Sequence, residues 1–368
     1  MKSLSDYFYH VITDNDVKTS RFAENFCARC LKTIFSGLSF IYAFIVWQKA
    51  LCYKVGLFRK KHLSQPVISI GNITWGGTGK TPLVELIVGY LQEKKIKPVV
   101  LTRGYMSKQR GCGQEKNSSD EGEMLQQSLN DVPILIGGNR IQSAQEALKK
   151  YPVDVFVLDD GFGHWKMARD LDIVLIDTTN PFGNGQLIPR GILREPLTAL
   201  RRADLFVLTK TDWGKPNVDS IKQKLQRINP EAPIIETIHQ AVGLMNMGEA
   251  APPETPLFLK GKTVAAFCSV AQPGSFQNLL HSLGADLRIM KSFQDHHVYE
   301  RDDILDLLKL CREKKVSILV TTHKDAVKLE SFLELLQKEF LLFSLKVKIR
   351  ITQGEDEFYG RISRLLDR

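Results

Sequence analysis

The chain has no internal repeat and no low-complexity tract, which excludes solenoid and fibrous architectures. Its six cysteines, at 27, 30, 52, 112, 268 and 311, follow no framework spacing, so a disulfide scaffold is not expected and the thiols read as reduced and cytosolic. Cys27 and Cys30 form a C-x-x-C, but no second pair of cysteines or histidines stands near to complete a zinc site. The run from Ile34 to Trp47 carries no charge, yet it is shorter than the ~18 to 20 residues that span a bilayer. A long polar or mixed stretch precedes that run and no small-residue cleavage site follows it, so no secretory signal is expected.

What the chain does have is an uneven positive charge. Lysine and arginine exceed aspartate and glutamate by 50 to 41, and residues 1–62 hold ten basic against four acidic residues. A basic segment suits nucleic acid or anionic lipid, and the uncharged apolar run inside this one favours an anionic membrane surface over nucleic acid. Both flanks of the run are basic, so the charge asymmetry that orients a spanning helix is missing. The segment reads as a helix lying in the interface, with Tyr42, Trp47 and the lysines at headgroup level.

With 368 residues the chain can bury one large core or two moderate ones. Beyond Pro66, short β-rich runs alternate with helical stretches, the pattern of a mostly parallel sheet covered on both faces. Strands are expected at 66–71, 98–102, 132–136, 153–158, 172–177, 204–209 and 233–238, with helices at 81–94 and 139–150 among the intervening segments. Pro252, Pro253 and Pro256, with glycines at 243 and 248, then break the rhythm. The alternation resumes with strands at 263–268, 286–290, 316–321 and 341–350 and helices at 273–283, 300–313 and 325–338. The expected fold is α/β: a P-loop NTPase-like, doubly wound, mostly parallel lobe at 63–238, a linker at 239–259, and a second, smaller α/β lobe at 260–368. The basic, apolar membrane-associating segment occupies 1–62.

The most informative run is Gly71-Asn-Ile-Thr-Trp-Gly-Gly-Thr-Gly-Lys-Thr-Pro82, between an apolar strand and an apolar helix. Gly76, Gly77 and Gly79 let the backbone curl and turn successive N–H groups inward, so Thr74 to Thr78 and their neighbours can cradle a triphosphate. Lys80 can place its ammonium on the β and γ phosphates, and the Thr81 hydroxyl can ligate Mg2+. Pro82 starts the helix where a missing N–H does no harm. The first glycine of the strict G-x4-G-K-[ST] pattern is replaced by Thr74, with Trp75 next to it.

Such a loop needs a metal-holding carboxylate at the end of a neighbouring strand. Val153-Asp-Val-Phe-Val-Leu-Asp159-Asp160 supplies two, and Asp177, ending the next apolar run, competes with them. Thr209-Lys210-Thr211-Asp212 fits either the base-recognition motif of GTP-binding proteins or a simple loop cap, and Thr322 to Asp325 is similar. Three polar clusters have no scaffold role by spacing alone. Ser118 to Glu121 lies in a long polar loop, suited to an active-site carboxylate. Asn184 to Pro196 carries Arg190 and Arg194, suited to gripping an anion. Phe293-Gln-Asp295-His296-His297 sets a carboxylate beside imidazoles, a pairing that can accept a proton.

In their order, these motifs resemble the tetraacyldisaccharide 4'-kinase family. The marks are Gly71-Asn72 before Gly76 to Pro82, Thr102-Arg103-Gly104-Tyr105, Asp120-Glu121, Asp159 to Phe162 with His164, Leu193 to Pro196, Asp295 to His297, and Thr321-Thr322 with Lys324 to Val327. The resemblance implies two α/β lobes with a cleft between them. It implies transfer of the ATP γ-phosphoryl to the 4'-hydroxyl of a tetraacylated glucosamine disaccharide 1-phosphate, giving lipid IVA at the cytoplasmic face of a bacterial inner membrane. It implies a metal shell from Thr81, Asp159, Asp160 and Glu195, and Asp120 as base assisted by His296. One departure stands out: Gly163 occupies the position where the family usually has glutamine. A membrane-associated NTPase switch of the partitioning type is the alternative, though such proteins usually carry a lysine where Trp75 stands.

Overall fold

The computed structural model describes residues 22–103, 120–129, 131–248, 253–295 and 297–367. A helix, α1 (Phe22–Lys54), precedes the first strand, β1 (Val67–Gly71). There follow α2 (Lys80–Glu93), β2 (Pro98–Thr102), α3 (Asp120–Ser128), β3 (Ile134–Ile136), α4 (Arg140–Lys150), β4 (Val155–Asp159), β5 (Leu171–Asp177), β6 (Leu205–Thr209), α5 (Lys215–Ile228) and β7 (Ile234–Asn246). The chain continues through β8 (Thr263–Cys268), α6 (Pro273–Ser282), β9 (Asp286–Ser292), α7 (Arg301–Glu313), β10 (Ile318–Thr322), α8 (His323–Ala326), α9 (Leu333–Gln337), β11 (Leu341–Gln353) and α10 (Glu355–Leu366).

The chain divides into two compact units, each drawn from separate stretches. The first gathers the residues up to Lys80, Val153–Ile238 and the segment from Ile351 onward; the second takes Thr81–Pro152 and His239–Arg350. In the first unit the strand order is β4-β1-β5-β6-β7, and each of these pairs is parallel. β1, β4, β5 and β6 are buried along their whole length, which is why they read as continuous apolar runs rather than alternating ones. Below the loops lies a core containing Ile73, Phe162, Val174, Leu200, Phe206 and Leu208. Burying each such side chain contributes roughly 1.5–3 kcal/mol. β1 is flanked by two strands that come later in the chain, so its carboxyl end opens onto the point where the winding reverses, the usual crevice for a ligand in this architecture.

The second unit has a parallel β2–β3 pair and a parallel set ordered β11-β10-β8-β9. Its core includes Phe267, Tyr299, Ile304, Leu308, Leu336 and Leu342. The sheet with helices in both units is the expected α/β arrangement.

Three elements differ from the sequence expectation. The helix expected at 325–338 is broken into α8, a 3-10 turn at Glu330–Phe332, and α9. The Thr322 side chain caps α8 by accepting from the Asp325 N–H, and the Asp325 carboxylate accepts from the Ser269 N–H at 2.9 Å and the Thr322 hydroxyl at 2.7 Å. Those bonds fix a short capped turn in place of a continuous helix. β7 runs on to Asn246, and Leu244 then pairs antiparallel with Glu254 across the proline-rich stretch expected as a linker.

The third is α1, which is 33 residues long and includes the stretch Arg29–Lys54, long and apolar enough to cross a membrane by length and composition. The uncharged run underestimated it because single lysines at 32 and 49 do not end a helix; the chain leaves it only near Gly56, whose φ of 77° is left-handed. Of the best apolar window only 6% is buried. One face docks on the first unit through polar and aromatic groups at helical spacing. The Ser39 hydroxyl donates to the Leu187 carbonyl at 2.8 Å and accepts from the Arg190 N–H at 2.9 Å, and the Tyr42 hydroxyl donates to the Arg194 carbonyl at 2.8 Å. Further along, the Lys49 ammonium lies 5.6 Å from the Trp165 ring centre and Tyr53 packs on the same indole. Elsewhere on the helix Phe40, Ile41, Phe44, Ile45, Trp47 and Leu51 are exposed.

Candidate active site

The glycine-rich run leaves the carboxyl end of β1 and ends in the first residue of α2. Gly71 has no room for a side chain: a Cβ there would stand 2.6 Å from both the Cβ and the backbone nitrogen of Phe162. That close approach seats the Asp160-Gly161-Phe162 turn beside the loop, with the Gly161 N–H donating to the Ile70 carbonyl at 2.9 Å. Gly76 and Gly79 have φ of 117° and 93°, conformations open to glycine and costly for other residues. The segment after Ile192 braces the loop's first half, since the Trp75 N–H donates to the Ile192 carbonyl and the Arg194 N–H to the Ile73 carbonyl, each at 2.7 Å. The Asn72 amide donates to the Thr74 carbonyl at 3.0 Å and to its hydroxyl at 3.2 Å, closing the turn from within. Thr74 and Thr78 are buried, whereas Trp75 is 71% exposed and free to meet a ligand.

Asp159 ends β4 directly opposite Ile70, the residue before Gly71, and is buried. Asp160 follows with φ of 50°, a left-handed backbone that is uncommon for a residue with a side chain and concentrates at functional sites. Its carboxylate takes a two-point grip from Arg194, Nη1 to Oδ2 and Nη2 to Oδ1, both at 2.9 Å. The same guanidinium donates to the Asn72 carbonyl at 3.1 Å and to the Asn72 side-chain oxygen. Lys80 approaches Asp160 from the other end of the loop, Nζ to Oδ1 at 3.7 Å. Lys80, Asp160, Arg194 and the glycine loop therefore converge. The role of Arg194 in joining Asp160 to Asn72 has no local sequence signal beyond a basic residue in a glycine and proline loop.

Asp177, the competing carboxylate, is already committed. Its Oδ1 accepts from the Thr179 N–H at 3.0 Å and hydroxyl at 2.6 Å, and its Oδ2 takes the Lys210 ammonium. Glu195 is buried and also engaged, accepting from Arg202 Nη2 at 2.6 Å and from the Trp165 indole N–H at 3.2 Å. The Arg202 guanidinium lies between two rings, 4.2 Å from the centre of Phe162 and 3.9 Å from that of Trp165. Burial lowers the Arg202 pKa, and the Glu195 carboxylate opposes that shift. Sequence reading missed this stack entirely. At Gly163 a Cβ would lie 3.7 Å from Glu195 Oε1, an ordinary van der Waals contact, and it is the Trp165 indole N–H that donates to that oxygen.

Asp120 opens α3 in the second unit, but its side chain and the whole of His296 lie outside the described residues. Their neighbours are described. α3 packs against α8, and Lys324 of α8 donates to Asp295 at 3.1 Å. His297 is taken up by helix capping: its Nε2 lies 2.7 Å from Asp303, which completes the capping box of α7. Thr81 stands in the first turn of α2. Among the described residues no cluster of three or more histidine, cysteine or acidic side chains forms a ready-made metal site.

A glycine loop at the winding reversal, closed by a lysine and faced by a strand-end aspartate, defines the P-loop class of nucleotide-binding α/β proteins. The model of the Tetraacyldisaccharide-1-P 4'-kinase family matches residues 31–367, so the chain belongs to that family. The tetraacyldisaccharide 4'-kinase of Halothermothrix orenii is 36% identical over 89% of this chain and 88% of its own length. That of Desulfotalea psychrophila is 35% identical over 87% and 93%. Among solved structures, LpxK from Aquifex aeolicus, crystallised in complex with ATP, aligns over 91% of this chain and 99% of its own with a TM-score of 0.68 at 28% identity. Membership of this family sets aside the partitioning-type switch.

Proposed function

We propose that this chain transfers the γ-phosphoryl group of ATP to the 4'-hydroxyl of tetraacyldisaccharide 1-phosphate, forming lipid IVA at the cytoplasmic face of a bacterial inner membrane. The observation that carries the reading is the convergence of Lys80 and Arg194 on Asp160 at the rim of the glycine loop. Phosphoryl transfer needs little covalent help from a protein; it needs positioned cations and N–H groups around a spreading negative charge. Lys80 and the loop N–H groups meet the phosphates. The donor set of Asp159, Asp160 and the Thr81 hydroxyl is all oxygen, the chemistry Mg2+ prefers, and the ion would neutralise charge between the β and γ phosphates. Glu195 joins that shell only by exchanging Arg202 or Trp165.

Asp120 acts as the base on the acceptor hydroxyl, with His296 assisting. Asp120 opens α3, which packs against α8, and Asp295, the residue before His296 in sequence, accepts from Lys324 of α8. The exposed apolar residues of α1 and the basic residues Lys54, Arg59, Lys60 and Lys61 that follow suit an anionic membrane holding an acylated, phosphorylated acceptor. The test is mass spectrometry of the acceptor after incubation with ATP and Mg2+ in detergent. A mass gain of one phosphate, located on the distal sugar, supports the reading; an unchanged acceptor refutes it.

A further inference from the structure

Asp177 and Lys210 lie just beneath the glycine loop, yet neither has a part in the chemistry above. Asp177 ends β5 opposite Thr209, the last residue of β6, and Lys210 follows at once. Their side chains are 2% and 3% exposed and are paired with each other. A buried ion pair is weak evidence for a stabilising role, because apolar residues of similar volume often serve stability as well or better. Lys210 also holds a left-handed backbone with φ of 58°, uncommon outside glycine. The Thr178 hydroxyl pins that conformation from below, donating to the Thr209 carbonyl at 2.9 Å and the Lys210 carbonyl at 2.8 Å. A strained residue held by so many bonds calls for a role beyond packing.

Its contacts supply one. The Lys210 ammonium donates to the Gly77 carbonyl at 3.3 Å, and the Thr209 hydroxyl donates to the Thr78 carbonyl at 2.9 Å. A trans peptide is planar, with its carbonyl and its N–H pointing in opposite directions. Drawing the Gly77 and Thr78 carbonyls toward β6 therefore turns the N–H groups of Thr78 and Gly79 the other way. Successive N–H groups aligned in a glycine loop are what an anion binds. Asp177 holds the ammonium in place for this task, and the two Thr179 bonds hold Asp177.

We infer that Lys210, oriented by Asp177, is a positioning residue that fixes the Gly77 and Thr78 peptide planes so that the loop is shaped for a triphosphate before one arrives. Thr209 shares the task. Thr209 and Lys210 thus grip the phosphate loop from beneath, whichever base the nucleotide carries. The inference rests on the proposed nucleotide-binding role of the loop and not on the identity of the acceptor.

The test uses the full chain in detergent and measures MgATP affinity directly, by competition with a fluorescent ATP analogue, beside the melting temperature and the KM of each substrate. Lys210→Met alone strands a buried carboxylate and risks unfolding, so the decisive variants are the neutral double Asp177→Asn with Lys210→Met, and Thr209→Val, which keeps the ion pair. The double variant is expected to melt near wild type and to bind MgATP on the order of tenfold more weakly, with the KM for lipid unchanged. Thr209→Val is expected to shift in the same direction by a few-fold. MgATP affinity equal to wild type in folded Thr209→Val or in the folded double variant overturns the inference, as does a parallel loss of melting temperature, ATP affinity and lipid KM. A wild-type chain that binds MgATP but phosphorylates no lipid refutes the proposed acceptor and leaves this inference in force; one that binds no MgATP overturns both.

Discussion

Arg194 closes on Asp160 through two parallel hydrogen bonds of 2.9 Å each, across 34 residues of sequence, and the same guanidinium reaches back to Asn72 at the start of the phosphate loop. One side chain thus ties the end of β4 to the end of β1. Planar two-point recognition of a carboxylate is a property of arginine that lysine does not share. Because the Arg194 carbonyl also receives the Tyr42 hydroxyl, α1 is anchored to the residue that holds Asp160.

Arg194→Lys is therefore expected to lower kcat/KM by about 10- to 100-fold, as the loss of a charge-assisted hydrogen-bonded pair would cost about 1.5–3 kcal/mol. Asp160→Asn should fall by a comparable factor. A double-mutant cycle between them should show a clear coupling energy, since each single change already breaks the shared contact. Additive losses would mean that the two residues act separately.

Asp120→Ala and His296→Ala should each reduce kcat by about 10²- to 10⁴-fold, the usual contribution of a positioned proton acceptor. MgATP affinity, measured by equilibrium titration, should stay within a few-fold of wild type. Equal loss of turnover and nucleotide affinity would assign both residues to nucleotide binding or to the fold.

Gly71→Ala brings a methyl group to 2.6 Å from the backbone of Phe162, which cannot swing aside as a flexible side chain would. The expected cost is about 1–3 kcal/mol or more, read as a lower midpoint of urea unfolding, with ATP affinity falling as the Asp160 turn is pushed off the loop. Gly89, half-buried in α2, meets nothing within 4 Å of an added Cβ, so Gly89→Ala is the control and should not lower the midpoint.

His323, at the start of α8, has its imidazole pKa lowered by burial and, secondarily, by the Lys346 ammonium. The folded state therefore takes up this proton less readily than the unfolded one. Its contribution is intact above the unfolded value of about 6.5 and is lost as the pH falls below it. Melting temperature should drop between pH 7.5 and 5.5, and His323→Gln should flatten that drop. An unchanged slope in the variant would place the acid sensitivity elsewhere.

The sequence made the phosphate loop legible because its parts are local: β1, the glycines, Lys80 and α2 are contiguous. Asp159 and Asp160 were legible for the same reason, as the end of an apolar run. The strands of the first unit begin within a few residues of their expected positions, since fully buried parallel strands leave unbroken apolar runs. What spacing cannot reveal is pairing between distant loops. Asp177 and Lys210 each looked like a candidate for other chemistry, metal binding and base recognition, until the parallel register of β5 and β6 set them together. The Arg202 stack between Phe162 and Trp165 has no periodic signature at all. The length of α1 was hidden because charge, unlike proline, does not end a helix.

The most direct test of the central claim is a stoichiometric transfer assay with γ-labelled ATP, Mg2+ and tetraacyldisaccharide 1-phosphate in detergent. The account predicts one labelled phosphate on the lipid for each ADP formed, with transfer dependent on Lys80 and Asp120. Release of labelled inorganic phosphate at a rate indifferent to the lipid, with none on the acceptor, would contradict it.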